Sequence, residues 1–256
     1  MTVRRPFLWL LLAASALSMR AELPPLLETA LRNALRDRDR WAYTETKVET
    51  DGKGRVKGTS IVRFDPSRPY AEQYTPISIN GNAPAEHDFR KYRALGERRA
   101  PKAEPPADAA SRTERKLSDM VDPNHIRVAA EDDGSVTFEL GLRKSGDFQF
   151  PPDKFEVLVS VDKTRQTLEN VVVQLEAPFR FRLVLKASSG ALRVEFANPD
   201  SRYGSVRTAI HIAGSGSVVF IPFAVNEDIT RANFKHVRPV DESFDVKIGP
   251  LKALDF

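Results

Sequence analysis

Alternation with a period of two governs this chain from residue 41 onward, and it restricts the fold more than any other feature. Val136, Phe138, Leu140 and Leu142 share one face against Thr137, Glu139 and Arg143. Phe155, Val157, Val159 and Val161 oppose Glu156, Ser160 and Asp162. Phe179, Phe181, Leu183 and Leu185 oppose Arg180, Arg182 and Lys186, and Leu192, Val194 and Phe196 oppose Arg193 and Glu195. Successive side chains of a strand point to opposite faces, so each segment has one apolar and one wet face. That is the pattern of an antiparallel sheet; parallel strands, covered on both sides, read as continuous apolar runs.

Turn residues punctuate the series at Asp132-Asp133-Gly134, Ser145-Gly146-Asp147, Ser188-Ser189-Gly190 and Asn198-Pro199-Asp200. Further strands are expected at 41–49, 57–64, 73–79, 126–130, 167–176, 207–213 and 218–228, which makes about eleven in one meandering sheet. Helices are few. Leu27, Leu31, Ala34 and Leu35 recur at i, i+4, i+7 and i+8 as one face of an amphipathic helix before the sheet. Asn82-Ala83-Pro84 reads as a helix start with Asn82 as N-cap, followed by Phe89, Tyr92 and Leu95 on one side and Arg90, Lys91 and Arg93 on the other. Residues 96–110 read as a proline-rich linker, and Ser111-Arg112-Thr113-Glu114 as a capping box opening a helix with Leu117 and Met120.

The first 21 residues follow a different logic. Arg4 and Arg5 precede an apolar stretch from Phe7 to Leu17 and then small residues, the three regions of a secretory signal. Cleavage after Ser18 or after Ala21 fits, and so does export by the general or the twin-arginine route. The remaining 22–256 is expected to be one domain, with a helical and linker insertion at about 82–120. With no cysteine there is neither a lipidation site of the lipobox kind nor a disulfide framework. Removal of Arg4, Arg5 and Arg20 takes the formal charge from +4 to +1, which gives no reason to expect nucleic acid. A soluble periplasmic monomer is the expectation.

Catalytic patterns are sparse. His87, His125, His211 and His236 are scattered without metal-ligand spacing, and there is no G-x-S-x-G elbow. Gly214-Ser215-Gly216-Ser217 reads as a hairpin turn, and His211, between Ile210 and Ile212, as a wet-face residue. Asp132-Asp133 and Asp37 with Asp39 read as solvated turn and run residues. No enzyme activity, cofactor or metal is expected. The positive signal is a surplus of apolar side chains on one face of a long sheet with three short helices to cover it, which favours a curved sheet with an apolar concavity.

The order of elements resembles the LolA/LolB-like lipoprotein carrier superfamily. The local likeness is Gly58-Thr59-Ser60-Ile61-Val62-Arg63-Phe64, then Arg68-Pro69 with Tyr74 six residues after the arginine. The resemblance implies an incomplete, strongly curved antiparallel β-barrel packed over short helices, mainly β with some α. It implies a periplasmic carrier for a lipidated or hydrophobic ligand such as a lipoprotein, with Arg68 holding a lid. Trp41, Tyr43, Phe64, Phe138, Phe155, Phe179 and Phe181 are the candidate lining, and Arg90, Lys91 and Arg93 the candidate contact with an anionic membrane surface. The chain departs from the family pattern in its length, its 82–120 insertion and its lack of the lipidated cysteine of the LolB receptors. A protein-interaction or stress-sensing module on the same fold, with 96–110 as docking segment, is the alternative. An envelope hydrolase would be a third, with no residue to name for it.

Overall fold

The computed structural model describes residues 23–37, 39–100, 121–143, 151–181, 185–218 and 221–243. The secretory signal, the capping box at 111–114 and the Ser145-Gly146-Asp147 turn lie outside them. Eleven antiparallel strands form one sheet: β1 (Trp41–Thr50), β2 (Val56–Phe64), β3 (Tyr74–Ile79), β4 (Val121–Glu131), β5 (Ser135–Leu142), β6 (Phe155–Asp162), β7 (Thr167–Leu175), β8 (Phe179–Phe181), β9 (Leu185–Ala197), β10 (Val206–Val218) and β11 (Ile221–His236). Their order is β3-β2-β1-β11-β10-β9-β7-β6-β5-β4, with the short β8 paired to the start of β9. β1 pairs with β11, so the first and last of the described strands meet in mid-sheet, and among the described residues the open edges are β3 and β4. The expected open, mainly antiparallel half-barrel is therefore present. Register shifts in β1–β2, β2–β3, β6–β7 and β9–β10 add the local twist that curls such a sheet.

Helix α1 (Pro25–Arg36) starts on a proline at its first turn and buries Leu27 and Ala30 against β6 and β7. Val121, Val136, Phe138, Leu140, Val157, Val159, Val161 and Leu168 complete this core. Leu35, expected on the same face, is exposed instead. At 100° per residue the buried stripe centres between Ala30 and Leu31, and Leu35 lies beyond its edge. The end of α1 is seated on the β9–β10 loop: the Gly204 N–H donates to Asp37 Oδ2 at 3.1 Å, and a Cβ on Gly204 would lie 2.3 Å from the Asn33 carbonyl oxygen.

Helix α2 (Glu86–Glu97) lies along β3. Its N-cap is Ala85, whose N–H donates to Asp88 Oδ2 at 2.9 Å, not the expected Asn82. Asn82 is taken up in a tight reversal with Ile79, in which Asn80 and Gly81 both have positive φ (51° and 78°). That is the Asn-Gly turn of a β-hairpin. A short helix α3 (Val240–Ser243) braces the β2–β3 turn: the Val240 N–H donates to the Pro66 carbonyl and the Tyr70 hydroxyl to Asp241.

Two expected turns are strand. Ser188-Ser189-Gly190 lies inside β9, and Gly214-Ser215-Gly216-Ser217 inside β10, whose Val218 is paired with Ile221 of β11. The glycines continue the alternation of Ile210 and Ile212 and end in Val218, so tertiary pairing on both sides overrides their turn preference.

Candidate functional site

Directly paired residues share a face, so register maps the helix-bearing, concave face row by row. One row reads Val159, Val171, Val194, Ile210, Ile229 and Lys47. The next is Val157, Val173, Leu192, Ile212, Glu227 and Glu49. Then the side chains shrink. Gly190, Gly214 and Val225 stand side by side, with Leu175 Cβ 3.5 Å from where a Gly190 Cβ would be. Beyond them come Phe179, Ala187, Gly216 and Phe223, and finally Leu185, Val218 and Ile221.

The result is a trough floored by glycine and alanine and walled by Leu192, Ile212, Leu175 and Phe223. Its floor, Gly190 and Gly214 in one row and Ala187 and Gly216 in the next, spans about 7 Å along the strands and opens toward Leu185 and Val218. Val225, Val218 and Ile221 are 46%, 45% and 72% exposed along it, and Phe223 is 38% exposed. The glycines differ in what they permit. A Cβ on Gly216 would meet the Lys186 carbonyl oxygen at 2.1 Å and the Phe223 ring at 2.9 Å, whereas one on Gly214 would find its nearest neighbour at 3.6 Å.

A charged belt on β1 and β11 lies beside the Ile210 and Ile212 rows and beyond them. Arg231 pairs with Glu45 at 2.9 Å, and Lys47 pairs with Glu227 at 2.9 Å and Glu49 at 2.8 Å. Hydrogen bonds from Lys47 hold the Glu49 carboxyl below its ordinary range. Above the belt lies an aromatic cluster: Tyr43 to Phe64 at 5.1 Å, Phe64 to Tyr74 at 4.8 Å, and Trp41 edge-on to Tyr203 and His236 at 5.6 and 5.1 Å. The Arg231 guanidinium stands 4.5 Å over the Tyr43 ring and that of Arg99 4.9 Å over Phe64. Burial pushes the Tyr43 hydroxyl up to about 12, partly opposed by the Arg231 charge.

The residues singled out from sequence are thus divided among several places. Phe155 and Phe179, 5.9 Å apart, stand at the rim of the trough, and Phe181 is paired with Leu185 through the backbone. Phe138 is in the core beneath α1. Trp41 and Phe64 are buried in the aromatic cluster with Tyr43, at the other end of the strands. Arg68 is exposed on the β2–β3 turn and shares a cleft of about 730 Å3 with Arg63, Arg93, Phe89 and Tyr74. Arg90, Lys91 and Arg93 are exposed on α2 as expected, with Lys91 Nζ 5.6 Å from the Tyr92 ring. His211 is on the outer face, 2.7 Å from Asp228. The trough glycines and the residues of the β10–β11 hairpin were not foreseen. Their signal was the phase of Gly214 and Gly216 with Ile210, Ile212 and Val218.

Among the described residues no group of three or more His, Asp or Glu converges as a metal site, and no helix is long and apolar enough to cross a membrane. No family model matches this chain, and no curated protein matches it. Among solved structures it is similar to a LolA superfamily protein from Nitrosomonas europaea, with 11% identity and a TM-score of 0.34 over 86% of this chain and 95% of that one.

Proposed function

We propose that the protein is a periplasmic, non-catalytic carrier or binding protein for a lipidated or otherwise hydrophobic ligand, and that the ligand's acyl chain lies in the β9–β11 trough. The observation that carries this reading is the trough itself. In two adjacent rows of an apolar face, β9 and β10 carry only hydrogen or methyl side chains, while Val225, Phe223 and Val218 beside them stay exposed. An apolar chain laid there removes its own surface and that of Val225, Phe223 and Ile212 from water, at about 0.8 kcal/mol per buried methylene. The aromatic cluster and the ion-paired belt hold the β1–β3 side rigid, so the binding face stays formed without ligand. Lid opening at Arg68 is a separate, dispensable element of this reading.

The test fills the trough. Gly214 has room for a Cβ and normal strand geometry, so Gly214→Leu should fold while occupying the floor. A fluorescent long-chain fatty acid should bind the parent protein saturably and be displaced by lysophospholipid, and the variant should bind at least tenfold more weakly. Equal binding by both proteins would move the ligand elsewhere. Absence of binding by the parent, with a specific protein captured from the envelope, would favour an interaction module.

A further inference from the structure

One end of the sheet combines features that ligand binding does not require. The β10–β11 hairpin ends in the exposed side chains of Val218, Ile221 and Phe223. The β1–β2 hairpin ends beside it. Asn226 Nδ2 donates to the Asp51 carbonyl at 3.3 Å, and a Cβ on Gly52 would touch the Ala224 Cβ at 3.0 Å. That second hairpin exposes Val56 between Arg55 and Lys57, with Lys53 preceding, and its carboxylate Asp51 is ion-paired to Arg55 at 2.7 Å. On the outer face of the same end, Arg180 and Lys186 are directly paired across β8 and β9, both exposed, with no ion-pair partner among the described residues.

Like charges set opposite one another on neighbouring strands repel, so this pair costs stability in the free protein. An anionic surface would remove that cost. Exposed aliphatic and aromatic tips ringed by lysine and arginine match a bilayer interface, where apolar groups enter the acyl boundary and cations meet phosphates. A dry protein groove would satisfy the apolar tips but leave Lys53, Lys57, Arg180 and Lys186 without counter-charges.

We infer that this end of the half-barrel, the paired β1–β2 and β10–β11 hairpins with Arg180 and Lys186, seats the protein on an anionic phospholipid surface. Ile221, Val218 and Val56 enter the acyl boundary while the cations engage lipid phosphates. The outermost rows of the trough then face the bilayer. The seating stands whether or not the trough carries a ligand, so the two can fail separately.

The measurement is co-sedimentation of the chain lacking residues 1–21 with vesicles of phosphatidylglycerol and phosphatidylcholine, against phosphatidylcholine alone. Binding is expected to the anionic vesicles and to weaken with salt. Each cation near such a surface is worth about a factor of five, so Arg180→Gln with Lys186→Gln should weaken binding roughly 30-fold. Ile221→Ser should weaken it too. All altered positions are exposed, and circular dichroism checks that the variants keep the fold. Ile221→Trp serves as an independent reporter, with a blue-shifted emission on anionic vesicles only. Three results would overturn the inference: no binding to anionic vesicles, equal binding to both kinds, or loss only on replacing Arg90, Lys91 and Arg93. The last would place the contact on α2.

Discussion

Helix α1 offers a sharp test of the packing, because it carries two leucines with opposite surroundings. Leu27 is fully buried among Val159, Val161 and Leu168, and Leu35, two turns on, is 59% exposed. Truncating Leu27 to alanine removes three carbons, worth about 2.5 kcal/mol in transfer free energy at ~0.8 kcal/mol each. The strands on the far side are tied by backbone hydrogen bonds and cannot collapse into the gap, so a cavity penalty adds to this. The total should reach about 3–4 kcal/mol, or roughly 10 °C in Tm for a domain of this size. Leu35→Ala should change stability by less than ~0.5 kcal/mol. Urea unfolding of both variants, followed by far-ultraviolet circular dichroism, measures the difference directly. A Leu27→Ala cost under about 1 kcal/mol, or equal costs for the two, would refute the seating of α1 on β6 and β7.

Further outcomes follow from individual contacts. Gly204→Ala should destabilise by about 1–3 kcal/mol, because its Cβ would meet the Asn33 carbonyl and push the end of α1 off its loop. Gly214→Ala, by contrast, should be neutral or slightly stabilising in the same denaturation assay. Arg231→Met should cost about 1–3 kcal/mol, since it leaves the half-buried Glu45 without its partner, and Arg231→Met with Glu45→Gln should recover much of that. Tyr43 ionises near 12 in the folded protein against ~10 when unfolded, so its burial contributes stability that is complete below pH 10 and lost as pH rises from about 10 to 12. In Tyr43→Phe that part of the alkaline loss, on the order of 2–3 kcal/mol, should be absent, as judged from urea midpoints measured across this range.

How much of this was visible in the sequence depended on which force set each feature. The strands of the α1 half were legible because burial of one face forces strict alternation, as in Val136, Phe138 and Leu140. Gly190, Gly214 and Gly216 were misread because a glycine in a turn and a glycine kept small for a trough are alike in one dimension; their phase with Ile210 and Ile212 was the better guide. Asn80-Gly81 carried a hairpin signal that the more conspicuous Asn82-Ala83-Pro84 obscured. The residues named together as candidate lining are separated in the fold. Aromatic content gives no register, and register alone separates Phe138 in the core, Phe64 in the cluster and Phe179 at the rim.

The most direct test of a lipid-binding trough is what the protein carries out of the cell. The protein would be purified from the periplasm without detergent, extracted with organic solvent, and the extract analysed by mass spectrometry beside that of Gly214→Leu. A near-stoichiometric phospholipid, lipopeptide or fatty acid in the parent extract, strongly depleted in the variant, is the expected result. A clean extract, with no thermal stabilisation on adding acyl ligands, would contradict a carrier function.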